Sequence, residues 1–324
     1  MKFGVREICD VTFKATANNQ KVGTKVFKKY QPVFSIDTAQ TSEMSQESTT
    51  VYAQGGKGYN RLIAWEGEKT MTFTVTDALM SPLGLAVLSG AGLIKANEEE
   101  VVHVHVTVDA ATENGIATIK YADLANEIGV YSDEDIYVCA DKNTKIYGTV
   151  LDGSGAGIDW VDNVVVTGGT AEAGTDLIAV KKGEELTVTC QNSEGETDTT
   201  KNGTVKYDMY VAMKAGATEV TIAPEDFGGY FYVEADTLFR REDSGQDMAA
   251  TLTFPRVKVQ SGFTFTMAAS GDPSTFDFTM DAFPGYTQFD GTKKVCVTMA
   301  IVGSDAQGTS DSGTHSTHGI KAGK

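Results

Sequence analysis

The sequence predicts an all-β protein, mainly antiparallel: a β-sandwich or partly closed barrel with one flanking α-helix, plus an inserted small β domain. Three observations predict it. Short runs rich in Val, Ile, Thr, Phe and Tyr alternate apolar with polar residues, the period of a half-buried strand. Gly, Asn, Asp and Pro punctuate these runs at short intervals. One stretch alone, residues 78–94, has the uncharged apolar character of a buried helix.

In chain order, strands are expected over 5–14, 24–36 and 69–76. The last of these sets Phe73 and Val75 on one face and Thr72, Thr74 and Thr76 on the other. At Asp77 the alternation stops, and no charge follows until Lys95. Ser81 before Pro82 is an N-cap and first-turn pair, and Gly90 is a natural stop. A helix apolar on nearly every side needs cover on nearly every side. Further strands are expected at 101–108, 116–121, 136–140, 145–151, 163–167, 185–190, 205–213, 219–223 and 230–238. Three alternating runs then form a meander: "ATLTFPRVKV" (250–259), "GFTFTMAASG" (262–271) and "STFDFTMDAF" (274–283). Phe263, Phe265 and Met267 share one face, as do Phe276, Phe278 and Met280, with Thr and Asp opposite and an "SGDPS" turn between the last two runs. A final strand is expected at 294–302.

Two segments break the rhythm. Residues 37–65 are rich in Thr, Ser and Gln and contain the glycine cluster "QGGKG"; so long a connection is functional or mobile. Residues 96–204 open on "NEEE" and contain "DGSGAG" and "NSEGETDTTKNGT". The expected division is a discontinuous β core (1–95 and 205–302), an inserted β-rich domain (96–204) and a flexible tail (303–324).

The 324 residues carry 27 Lys plus Arg against 44 Asp plus Glu, a net charge of −17 that repels nucleic acid. The opening "MKFGVREICDVTF" meets Glu7 and Asp10 too early for a secretion signal, and no run has the length of a membrane span. Cys9, Cys139, Cys190 and Cys296 lie far apart, so buried thiols are expected rather than disulfides. His103 and His105 share one side of a strand but lack a third metal ligand nearby, and His315 and His318 fall in the tail. "DGSGAG" is followed by a strand rather than a phosphate-binding helix, and "DKNTK" (141–145) lacks the acids of a calcium loop. Trp65, Trp160 and "GGYFYV" (228–233) could form a carbohydrate platform but are expected to pack in cores and interfaces. No nucleophile elbow, zinc-helix motif or phosphate loop is present. No catalytic, cofactor-binding or metal residue is assigned, and an enzyme is not expected.

Taken together, "WEGEKTMTFTVTDALMSPLGLAVLSGAGL" (65–93), "DFGGYFYVEADTLFRREDSGQDMAATLTFPRVKVQ" (226–260) and "SGFTFTMAASGDPSTFDFTMDAF" (261–283) resemble the major tail tube protein of tailed bacteriophages. The resemblance implies a structural protein of the virion, made in the host cytoplasm, whose hexameric rings stack into a tube. DNA would pass through a negatively charged channel without specific binding. It implies partners that are copies of itself, with a sheath, terminator or baseplate protein at its surfaces, and no membrane. It also implies subunit contacts along the helix, at Leu79, Leu83, Leu85, Val87 and Leu88, and along the polar segment, at Glu43, Met44, Val51 and Tyr52. The alternative is another β-rich virion protein, a head decoration or a receptor- or carbohydrate-binding tail-tip protein.

Overall fold

The computed structural model describes residues 2–55, 57, 59–129, 134–140, 146–264 and 274–302. The chain opens with β1 (Phe3–Val5), β2 (Asp10–Ala15), β3 (Gln20–Val22), β4 (Lys25–Phe27) and β5 (Pro32–Ile36). The expected strands at 5–14 and 24–36 are thus each interrupted, the second by a turn with Tyr30 at φ 65°. Two long strands follow, β6 (Ala39–Gly55) and β7 (Asn60–Asp77), then α1 (Pro82–Ser89) and β8 (Gly92–Lys95). The segment expected as a loop is therefore most of a hairpin. Its Thr-rich composition suits strands as well as turns, and composition alone does not separate the two.

The chain then builds β9 (Val102–Glu113), β10 (Ile116–Lys120), α2 (Tyr121–Ile128), β11 (Ile136–Cys139), β12 (Ile146–Leu151) and β13 (Gly157–Gly168). After these come β14 (Thr170–Ala171), β15 (Leu177–Val180), β16 (Glu185–Gln191) and β17 (Gly203–Met213). It closes with β18 (Thr218–Thr221), β19 (Tyr230–Arg241), β20 (Asp247–Val259), β21 (Phe276–Ala282) and β22 (Thr298–Ile301). Residues up to Leu93 and from Val220 form one unit, and Ile94–Glu219 form the other.

In the first unit one antiparallel sheet runs β5-β2-β19-β20-β21-β7-β6, with β1 also on β19 and β22 also on β20. Strands β5 and β6 stand at opposite ends of this order, yet Asp37 and Thr38 alone connect them. The sheet must roll to bring its ends together, which makes it a partly closed barrel. Inward-facing alternate residues fill the roll. Phe13 lies at its centre, its ring 5.8 to 6.1 Å from those of Phe34, Phe231 and Phe278. Burying each such side chain contributes roughly 1.5–3 kcal/mol.

The chain itself covers most of α1. Ser81 Oγ accepts from Gly84 N at 2.9 Å, Gly90 closes the helix at φ 77°, and Val87 and Leu88 sink into the core of the roll. A Cβ on Gly84 would meet Phe34 Cζ at 2.9 Å, so the absent side chain is what lets helix and sheet approach.

The second unit contains a closed six-stranded barrel, β12-β13-β16-β10-β9-β17, completed by the β12–β17 pairing. Leu124 of α2 is fully buried in its core, and β11, β15 and β14 extend the sheet from β17. Inside, Tyr207 Oη lies 2.8 Å from Thr112 Oγ1 and 3.6 Å from Cys190 Sγ, so the buried hydroxyls are satisfied. Residues 205–213, expected in the first unit, are strand β17 of this barrel and pair with β9 from Gly203 to Met213. Alternation identified the strand but carries no information about which sheet it joins.

In the expected meander, residues 261–264 are irregular and β20 pairs directly with β21. Phe265, Met267, most of the "SGDPS" turn, "DKNTK", His315, His318 and the tail lie outside the described residues.

Candidate functional site

The hairpin β6–β7 is the feature least explained by the needs of folding. β21 pairs with β7 only from Thr72 to Asp77, so beyond Ser45 and Thr72 the two strands pair only with each other, out to Gly55 and Asn60. Ten residues of strand make a ribbon of about 30 Å. An isolated two-stranded ribbon is marginal in water. This one also exposes Val51, Tyr52, Tyr59, Leu62, Ile63 and Trp65. The register sets Val51 opposite Trp65 and Ala53 opposite Ile63 on one face. On the other, the Arg61 guanidinium lies 4.2 Å from the centre of the Tyr52 ring. Such an apolar ribbon is the mark of an association surface.

Of the residues expected at subunit contacts, Glu43, Met44, Val51 and Tyr52 are exposed along β6. Leu79 is 66% exposed just before α1, and Leu83 and Leu85 are half-buried. Val87 and Leu88 are buried at 1% and 0% in the core of their own unit. They are withdrawn from the contact set, because a side chain already enclosed has no surface left for a neighbour. Sequence reasoning missed Leu62, Ile63 and Trp65. The run "RLIAW" holds them, at the end of a segment whose Thr, Ser and Gln content masks its apolar residues. Trp65 and Trp160, expected to pack, are 53% and 66% exposed.

A second feature is the solvent face of the rolled sheet. Register places Ser35, Thr12, Glu234, Thr253 and Thr298 in one row across five strands. Asp281 with Thr72, Thr279 with Thr74 and Asp277 with Thr76 continue the pattern on β21 and β7. Hydroxyls and acids bond one another here: Thr251 to Asp236 and Thr76 to Asp277, both at 2.6 Å. Lys14 is bound by Glu234, and Arg240 is held by both oxygens of Asp247, whose carboxyl sits below its ordinary range because of that pairing.

Charge divides unevenly between the units. Ile94–Glu219 hold 23 acidic and 9 basic residues, so −14 of the −17 resides there, and the remaining residues are close to neutral.

The remaining candidates resolve simply. Cys9, Cys139 and Cys190 are buried free thiols and Cys296 is half-buried. His105 Nε2 lies 3.0 Å from Asp208 Oδ1 on an exposed strand face. Among the described residues no group of three or more His, Cys, Asp or Glu could hold a metal ion, and no helix is long and apolar enough to cross a membrane.

A rolled antiparallel sheet with a flanking helix and a long exposed hairpin defines a mainly antiparallel β protein of the partly closed barrel class. The model of the YomU/Tube protein family matches residues 5–180 and 161–294, and the chain belongs to that family. It is a structural protein of the phage tail tube, a component of the virion. No curated protein matches the chain.

Proposed function

We propose that the chain assembles into hexameric rings that stack into the tail tube, and that DNA passes through the channel they enclose. The observation that carries this reading is the hairpin ribbon, about 30 Å of strand that pairs with no third strand among the described residues and leaves its apolar side chains exposed. A ring needs a grip on the next ring, and a ribbon anchored in the roll by Thr72–Asp77 supplies one. The hydroxyl and carboxylate rows of the sheet are suited to line the channel. Acidic oxygens repel phosphates, hydroxyls offer weak and exchangeable hydrogen bonds, and of the cations on this face Lys14 and Arg240 are paired with acids. Partners of this assembly are copies of the chain, with sheath, terminator or baseplate proteins at its outer surface and ends.

Electron microscopy of purified protein tests the reading. Long hollow tubes with six-fold rings support it. Compact monomers or trimers under every condition would overturn it and return the chain to the decoration or tail-tip class.

A further inference from the structure

The outer face of the six-stranded barrel carries a diagonal of exposed aromatic rings that neither its core nor the tube reading uses. Trp160 on β13 lies in the row of Thr149 on β12, and Thr149 lies opposite Lys206 on β17. Two residues along β12 stands Tyr147, opposite Asp208. Two further along β17 stands Tyr210, opposite His105 on β9. Each step from Trp160 to Tyr147 to Tyr210 is one strand over and two residues along, about 8 Å, so the three rings span about 16 Å. They are 66%, 49% and 40% exposed.

Their surroundings fix them. The Lys201 side chain, only 12% exposed, binds the Asp159 carboxylate through Nζ and donates to the Trp160 carbonyl at 3.0 Å. Asp159 Oδ1 accepts from Trp160 N at 2.8 Å, so the backbone beneath the indole is pinned from two sides. The His105 ring meets Tyr210 edge to face at 5.5 Å, and His105 is in turn held by Asp208.

We propose that this face binds a neutral or amino-sugar polysaccharide chain. The apolar C–H face of a pyranose stacks on an aromatic ring, while its equatorial hydroxyls point outward to polar groups. Here Asp208, His105 and Lys206 flank the rings with acceptors and donors. Charge selects among glycans: with 23 acidic against 9 basic residues in Ile94–Glu219, polyanionic sugars and nucleic acid are repelled and amino sugars are favoured. Three regularly spaced rings suit an extended chain of repeating units rather than a small ligand.

The test is a glycan array of neutral, amino-sugar and anionic glycans, probed with the labelled full chain. Neutral or amino-sugar chains should bind and anionic ones should not. Trp160→Ala, Tyr147→Ala and Tyr210→Ala should each weaken binding at least tenfold without lowering the melting temperature, whereas Trp65→Phe should leave it unchanged. No bound glycan, binding confined to anionic glycans, or unaltered binding by the alanine variants would overturn the proposal. Loss of tube assembly in those variants would also overturn it, by making the face a contact between copies. The array reads glycan binding without reference to tube formation, so this proposal and the tube reading fail separately.

Discussion

Thr38 Oγ1 lies 2.5 Å from Asp77 Oδ1, and the bond ties the start of β6 to the end of β7 where the rolled sheet closes. Asp77 is 2% exposed and also accepts from Leu79 N at 3.3 Å, so its carboxylate serves the closure and the chain's turn toward α1 together. Asp77→Ala should cost about 1–3 kcal/mol, because the Thr38 hydroxyl and the Leu79 amide lose a charged acceptor. Asp77→Asn, which keeps one acceptor oxygen, should cost less. Urea denaturation of the unassembled subunit measures both, and an unchanged midpoint for Asp77→Ala would refute the role.

Gly90 closes α1 at φ 77°, and a Cβ there would lie 2.3 Å from the Phe227 carbonyl oxygen. Gly245, at φ 64°, faces open space. Gly245→Ala should therefore cost about 1 kcal/mol for the backbone conformation alone. Gly90→Ala must also push aside a backbone segment and should cost at least twice as much. Equal melting temperatures for the two variants would show that the contact with Phe227 is not rigid.

These closures explain what the sequence could and could not convey. The roll was legible because its strands alternate cleanly: Phe73 and Val75 against the threonines between them, Phe276 and Phe278 against Asp277 and Thr279. Helix α1 was legible from Ser81, Pro82 and Gly90, residues whose local chemistry fixes an end. Its cover was not, because Phe34 and Phe227 lie about 50 and 140 positions away. The assignment of 205–213 failed for the same reason, since a strand's pattern names its buried face and not its neighbour. The sequence did not separate hairpin from loop over 37–65, because Thr, Ser and Gln are common to loops and to strands with two wet faces. Of the aromatic diagonal on the barrel the sequence singled out only Trp160, as joining it to Tyr147 and Tyr210 depends on the register of three strands.

The thiols give a prediction with a pH sign. Burial pushes Cys139 up to about 11 and raises Cys9 and Cys190 above their ordinary value. The folded state thus favours the neutral thiol. That stability is fully present below the unfolded thiol value near 9 and is lost as pH rises through 11. The melting temperature should fall between pH 9 and 11, less steeply when Cys139 is replaced by Ala. At pH 8 a thiol reagent should modify Cys296 rapidly and the three buried thiols only on unfolding. Rapid modification of all four in the native protein would contradict the burial.

The helix separates folding from association. Leu88→Ala removes a fully buried side chain and should cost about 2–5 kcal/mol in the isolated subunit. Leu79→Asp alters a residue that is 66% exposed and should change subunit stability by no more than about 0.5 kcal/mol. If Leu79 meets a neighbouring subunit, the aspartate variant should remain folded and monomeric, because a buried unpaired charge is costly. Sedimentation and thermal melting distinguish the cases, and normal tubes from Leu79→Asp would remove this residue from the contact set.

The hairpin offers the sharpest test of the tube reading, because its register allows it to be shortened without touching the roll. Thr50 and Glu66 face one another, so replacing residues 51–65 with Asn-Gly joins paired positions through a two-residue turn that favours hairpins. The shortened ribbon keeps its anchor at Thr72–Asp77 and loses Val51, Tyr52, Ile63 and Trp65. The subunit should fold with an unchanged melting temperature, since none of the described residues between 51 and 65 belongs to the core cluster or is among those packed against it. It should not polymerise. Chymotrypsin supplies an independent readout: Tyr52, Tyr59 and Trp65 are exposed in the single chain and should be cut there, but protected once the ribbon lies in a neighbouring ring. Normal tubes from the shortened chain, or equal cleavage of free and assembled protein, would show that the ribbon grips nothing.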